Sequence, residues 1–431
     1  VKPVKRIWRL ICVAALLGAT EASAQQFGPL LDVEIPFDMS RGRNVSVQER
    51  PRPETDALGI RRGAFFIYPK LEVGAGYTNN VYGSLNDKVS DAYFTITPSV
   101  NVQSQWSRHS LHFLAEGDLK RYAQETLRNE NGYAFLADGR LDIIGESNIY
   151  ALARYQKGYE AQYSGSFPAN AAQSVPFERK SGTLRGTWQA NRVRLIGNFD
   201  VNNFKYEDTL SISGTVLDQN YRDRTIYRGS ARLEYALNPD AATFVQLTYA
   251  KSEYDRIRAG FGDRSNNEVR ALGGLTFDLT SLIRGSVGVG YVRRNYADPR
   301  FRTVQGIATD VRVEYFPSGL TTITLGIRRG VEDAILAESA GYTSTGANVR
   351  VDHELLRNLL LYTQFDFEHD NFKDVTRRDD LFIYRLGGDY LLNRHVQLAP
   401  EFTYIKRKSA GTPVGQAFDE AKAYLMLRLQ I

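Results

Sequence analysis

Apolar and polar residues alternate along most of this chain. Between Glu420 and Ile431 the apolar residues Ala421, Ala423, Leu425, Leu427, Leu429 and Ile431 are interleaved with Glu420, Lys422, Tyr424, Met426, Arg428 and Gln430. A period of two puts each set on its own face of a strand. The pattern recurs back to about Phe65 and predicts about eighteen strands. Their approximate spans are 65–78, 92–105, 109–122, 131–144, 148–161, 179–190, 192–206, 224–238 and 241–255, then 265–279, 283–297, 303–316, 320–333, 342–355, 358–372, 380–392, 395–408 and 418–431. Leu71/Val73/Ala75/Tyr77 and Val287/Val289/Tyr291 are typical greasy rows, and Arg228/Arg232/Glu234 and Asp310/Arg312/Glu314 typical polar ones. Pro98 and Pro400 fall inside strand patterns, where a missing N–H points to a bulge or a miscount.

The connections carry a second signal. Every other one is short, as at Gly145-Glu146-Ser147, Asn238-Pro239-Asp240 and Pro317-Ser318-Gly319. Those between are mostly longer and polar, as at 162–178, 207–223, 334–341 and 409–417. Short turns on one rim and long loops on the other characterise an up-and-down barrel that crosses a membrane. The expected fold is therefore all-β, a transmembrane antiparallel up-and-down β-barrel of about eighteen strands. Closure is required, because an open edge in lipid leaves backbone N–H and C=O groups unpaired at a cost of several kcal/mol each. A barrel this wide is not filled by its own side chains, so an aqueous lumen is expected unless loops fold inward.

The amino terminus fits this compartment. Lys2, Lys5, Arg6 and Arg9 precede an apolar core from Leu10 to Ala19, and Ala22-Ser23-Ala24 is a small-x-small cleavage site. The expected divisions are a signal peptide at 1–24, an extended periplasmic N-terminal arm at 25–63 and an outer-membrane barrel at 64–431. The arm is punctuated by Pro29, Pro36, Pro51 and Pro53, and is too short for a core of its own. An arm is favoured over a short plug in the lumen. Both termini are expected on the periplasmic side of a Gram-negative outer membrane. The single cysteine, Cys12, lies in the leader, so the mature chain offers no disulfide or thiolate chemistry. Removing the leader lowers the formal charge from +5 to +2, which does not support nucleic-acid binding. Aromatic residues make up 12% of the chain, with 25 Tyr, and Tyr suits the headgroup level of a membrane.

The five histidines, His109, His112, His353, His369 and His395, make no catalytic set. His109-Ser110 is mere adjacency, and His112 with Glu116 on one face has no nucleophile beside it. No His/Cys/Asp set has metal-ligand spacing. The expectation is a non-enzymatic protein without a cofactor. The polar faces instead carry opposed charges, read as Arg140 with Asp138 and Asp142, Arg194 with Asp200, and Arg385 with Asp389. Pore-lining candidates are Arg140, Tyr150, Arg185, Arg228, Arg232, Arg270, Arg350, Tyr362, Arg385 and Tyr424, with Tyr93 beside them. For any one of them, a cross-strand ion pair that stiffens the wall competes with contact to a solute. The near-balance of opposed charges over the polar faces as a whole argues against a pore dedicated to small anions.

The stretch Arg50-Pro51-Arg52-Pro53-Glu54-Thr55-Asp56-Ala57-Leu58-Gly59-Ile60-Arg61-Arg62-Gly63, followed by Ala64 to Pro69 and then Leu71-Glu72-Val73-Gly74-Ala75-Gly76-Tyr77-Thr78-Asn79-Asn80-Val81-Tyr82, resembles the opening of the type 2 outer-membrane β-barrel porin family. Members are often associated with exopolysaccharide production. The resemblance therefore implies a conduit for exopolysaccharide export, with a polysaccharide as substrate, outer-membrane lipid and the barrel assembly machinery as partners, and periplasmic polysaccharide-export proteins nearby. It carries no catalytic residue. Ile431 stands where many such barrels end in Phe. Two other readings stay open: an uptake porin for small hydrophilic solutes, and a structural or surface-binding barrel with an occluded lumen.

Overall fold

The computed structural model describes residues 35, 36 and 39–431. The signal peptide expected at 1–24 and the beginning of the arm lie outside them. The wall consists of eighteen long strands: β1 Phe65–Thr78, β2 Asp91–Ser104, β3 Ser110–Tyr122, β4 Glu130–Ile144, β5 Ser147–Tyr159, β6 Pro176–Ala190, β7 Val193–Tyr206, β8 Arg224–Asn238, β9 Ala241–Tyr254, β10 Asn266–Leu279, β11 Ile283–Tyr296, β12 Val304–Ser318, β13 Thr321–Leu336, β14 Ser339–Leu356, β15 Leu359–Phe372, β16 Arg378–Leu391, β17 Val396–Ala410 and β18 Phe418–Gln430. Each pairs antiparallel with its neighbours in the chain, and β1 closes on β18 from Lys70↔Gln430 to Thr78↔Lys422. The sheet is a closed barrel.

The seam has a patch. β18 reaches only Lys70 of β1, and Ile60–Arg62 folds back to pair with Phe65, Phe66 and Ile67. Gly59 N donates to Ile431 O at 3.2 Å, and Ile431 N to Pro69 O at 3.3 Å, joining the patch to the last strand.

The alternation places side chains as expected. Leu195, Phe199, Leu233, Tyr235, Leu247, Val289 and Phe402 are exposed on the outside, where a membrane meets them. Asp200, Arg228, Arg232, Gln246, Thr248, Arg270 and Ser286 are buried on the inside. Pro98 and Pro400 create no bulge. Each keeps register, but the ladder is interrupted on one side, towards β3 for Pro98 and towards β16 for Pro400. The residue opposite the gap is a glycine in both cases, Gly117 and Gly388 by register.

One connection differs from expectation. The stretch 334–341 is no long polar loop, because β13 and β14 continue to the pair Leu336↔Ser339. Inward Ala334 and Tyr342 are buried with Phe372, so apolar packing holds the hairpin together above the level of its neighbours. The genuinely long connections, 160–175 and 207–223, share its rim.

Candidate functional site

Two internal elements shape the lumen. The first is the loop 160–175 between β5 and β6. On its home side, Phe167, Ala171 and Val175 pack against Phe177, Phe204, Tyr206 and Ile226 of β6, β7 and β8. Its tip lies on the far wall, where Tyr163 is buried with Leu381, Ile383, Ile405 and Phe418 of β16, β17 and β18. There Arg407 Nη1 donates to the carbonyls of Tyr163 at 2.9 Å and Ser164 at 2.5 Å. Gly165 abuts Tyr342 of β14 and Asp370 of β15, and a Cβ there would meet the tyrosine hydroxyl at 3.2 Å. The loop therefore crosses the interior from wall to wall.

Charged contacts brace the crossing. Both Nη atoms of Arg222, in the loop 207–223, donate to the Glu160 carboxylate at 2.8 Å, a two-pronged pair that is nearly fully buried. Such charge-assisted forks fix geometry as well as adding energy. Burial opposes the Arg222 charge, yet the charge and hydrogen bonds of Glu160 outweigh it and raise the guanidinium above its ordinary value, and the Tyr206 ring lies 4.0 Å away. Arg128 lies between the rings of Tyr82 and Phe167 and donates to Ala171 O at 2.9 Å. Burial, then the hydrogen bond to Glu125, pushes the Tyr82 hydroxyl up to about 12.

The second internal element is the N-terminal segment, which lies along the inner wall at the short-turn rim. Arg41 N donates to Asp278 at 2.7 Å, Val47 N to Thr322 Oγ1 at 3.0 Å and Gln48 to Asp352 at 3.1 Å. Glu49 accepts from Arg284 at 2.9 Å, and Arg50 pairs with Glu354 at 2.8 Å. Burial works against ionisation of Glu49, but the charge and hydrogen bond of Arg284 hold its carboxyl below the usual glutamate range. Only Val47 is a buried apolar anchor over residues 40–50. The segment is held mainly by polar contacts.

Between the two elements is a cavity of about 800 Å³. The loop residues Glu160, Tyr163, Ser164, Gly165 and Ser166 border it at one end, and Ser46, Gln48 and Glu49 at the other. Its walls come mainly from β8 to β17. Eleven carboxylates and nine arginines line it, with no lysine or histidine. Arg294 pairs with Glu268 and Asp333, and Arg350 with Asp352, so opposed charges are interleaved and no ring carries one sign. Among the described residues, no group of three or more His, Cys, Asp or Glu is arranged to hold a metal ion.

All ten sequence-derived candidates point inward, but they are dispersed. Arg228 and Arg350 line the cavity. Three aromatic sets form separately: Arg185 over Tyr150 at 5.3 Å, Arg350 over Tyr362 at 4.2 Å, and Tyr424 stacked on Tyr93 at 6.1 Å. Tyr424 and Tyr93 cover the backbone of Gly74 and Gly76, where any Cβ would collide with the rings. Arg232 pairs with Glu234 at 2.7 Å and lies 3.7 Å from the Phe244 ring centre. Arg270 faces Asp310 at 3.7 Å, and Arg228 meets Asp200 at 3.0 Å.

Several ion partners differ from the sequence reading. Arg140 pairs with Asp142 at 2.9 Å as expected, but its other expected partner, Asp138, is taken by His112 at 2.7 Å. Arg194 reaches Glu234, not Asp200, and Arg385 meets Asp366 at 2.7 Å, not Asp389. Partners two apart on one strand compete with partners on the neighbouring strand, and the registers that decide between them are not visible in one sequence. The sequence reading also missed Glu160, Tyr163, Arg222, Arg224, Arg264 and Arg294 at the cavity. A signal existed for the loop: Tyr163, Phe167, Ala171, Ala172 and Val175 are unusually apolar for a connection exposed to water.

Residues 52–431 match the family described as "Putative beta-barrel porin 2". The chain belongs to this family. The family and the closed lipid-compatible wall together make it an outer-membrane, porin-like barrel. It is also similar to solved structures at low identity. Against OpdL from Pseudomonas aeruginosa it is 10% identical, over 86% of this chain and 99% of that one, with a TM-score of 0.45. Against OpdO from the same organism the identity is 14%, over 85% and 97%, with a TM-score of 0.45. A mutant of the ferric enterobactin receptor from Pseudomonas aeruginosa is 7% identical, over 85% and 80%, with a TM-score of 0.47. No curated protein matches the chain.

Proposed function

We propose that this barrel is a non-enzymatic conduit for a hydroxyl-rich polar solute, and that the solute is an exopolysaccharide leaving the cell. The observation that carries the reading is the lining: interleaved carboxylates and guanidiniums around a cavity of about 800 Å³, without a ring of one sign. Such a wall offers many exchangeable hydrogen bonds to hydroxyls, with Arg–Tyr pairs elsewhere on the lumen surface. Transport needs contacts loose enough to release, and many weak ones meet that need. The glycan assignment itself rests on the family resemblance. In this reading the short-turn rim and both termini are periplasmic, the assembly machinery inserts the barrel, and periplasmic export proteins deliver polymer to that rim.

One observation favours a second reading, the uptake of small hydrophilic solutes. The loop 160–175 and residues 46–49 narrow the interior from both ends, which suits a compact solute better than a threaded chain. Two measurements decide between them. Deletion of the gene, followed by fractionation of cell-bound and secreted polysaccharide, is expected to abolish secretion; unchanged secretion with no second such porin present overturns export. Swelling of proteoliposomes in graded oligosaccharides tests size, and entry of monosaccharides alone favours uptake.

A further inference from the structure

We infer that the loop 160–175 is the selectivity element of the channel, a two-anchored bar that confines passage to one side of the lumen. The inference rests on the channel reading and adds the part of the chain that sets the aperture. Three observations support it. First, the loop is fastened at both ends of its span by independent apolar clusters, Phe167/Ala171/Val175 on the home wall and Tyr163 on the opposite one. A loop merely lying over a rim needs no far anchor. Second, its root is locked by the two-pronged Glu160–Arg222 pair, nearly fully buried. Removing one partner of such a pair leaves a buried charge without its counter-ion, so the loop position is strongly defined. Third, the cavity is lined on the β8–β17 side and borders Glu160, Tyr163 and Ser164. On the other side, Gln416 donates to Tyr82 O and Gly83 O, and Arg128 is wedged between Tyr82 and Phe167, so packed side chains fill the interior there at the level of the loop.

A solute that passes must therefore move along the inner edge of the loop. That edge is formed by Ser164, Gly165 and Ser166, with the Ser164 hydroxyl donating to Glu160, which Arg222 holds behind them. Facing it on the wall are Glu332 and Asp370 together with Arg224 and Arg294. At Gly165 the loop is sealed against the wall, since a Cβ there would already meet the Tyr342 hydroxyl at 3.2 Å.

The test uses purified full-length protein in planar bilayers, in a Cys12→Ser background. Ser164→Cys borders the cavity, whereas Ser213→Cys is exposed in the loop 207–223 and does not. Attaching a bulky methanethiosulfonate to Ser164→Cys is expected to lower single-channel conductance by about half or more, and the same label at Ser213→Cys to leave it unchanged. Deleting 162–174 is expected to raise conductance about two-fold. The Ser164→Cys arm stands if the deletion fails to fold. Unchanged conductance of Ser164→Cys protein labelled to completion overturns the inference while leaving the channel reading intact. A silent parent with a conducting deletion identifies the loop as the obstruction. Silence of both, in folded protein, overturns the channel reading and the inference together.

Discussion

At the scale of single residues, this barrel separates two kinds of constraint on charge. On the wall, Arg228–Asp200 is fixed by strand register and Arg232–Glu234 by the two-residue repeat of a single strand, so each pair holds its members in place. On the N-terminal segment, charge decides whether a peptide stays docked. Glu49 is the clearest case, because Arg284 depresses its carboxyl pKa despite the opposing effect of burial. A group whose folded pKa lies below its unfolded value stabilises docking fully above the unfolded value, about 4.3 for glutamate. That contribution is lost as pH falls through the lower, folded value. A nitroxide attached at Val45→Cys should therefore stay immobile at pH 7 and 5 and loosen only well into the acid range. Loosening by pH 6, or none at pH 2, contradicts the assignment.

At the scale of elements, strands were legible because period two survives any uncertainty about their ends. The eighteen strands, their faces and the alternation of turn lengths all follow from it. Register was not legible, which is why Arg194 and Arg385 found partners other than those expected. The hairpin between β13 and β14 outruns the expected loop because 334–341 is mostly apolar, with only Glu338 and Ser339 polar, and its inward Ala334 packs with Tyr342 and Phe372. Turns also hold conformations that the local sequence does not advertise. Thr280 and Ser281 both have positive φ, 54° and 56°, with Leu282 N bonded to Leu279 O at 3.2 Å. This is a mirror-image turn occupied by residues with a Cβ, where Asn-Gly is preferred. Thr280→Asn with Ser281→Gly is expected to stabilise the barrel by about 1 kcal/mol, read from urea unfolding in lipid. A loss of stability would show that the present side chains contribute more than their strain costs.

At the scale of the whole molecule, the sequence allowed an open lumen but could not show which connections enter it. A crossing loop needs two anchors, and these are brought together only when distant strands face one another across a closed wall. The charge of the resulting cavity is likewise a property of the assembly. Its eleven carboxylates and nine arginines leave a small excess of negative charge. In a salt gradient, the reversal potential is expected to show a modest cation preference that fades as ionic strength rises and charges are screened. Glu332→Gln should weaken it, and a clear anion preference of the parent would contradict this account of the lining.

The patch at Ile60–Arg62 makes the wall dependent on chain that precedes its first stave. Where β18 stops short, Phe65 to Ile67 would otherwise offer bare amides to any passing strand. Trimming the protein to begin at Phe65 would spare every long strand yet leave a sticky corner, and neighbouring barrels would be free to zip together there.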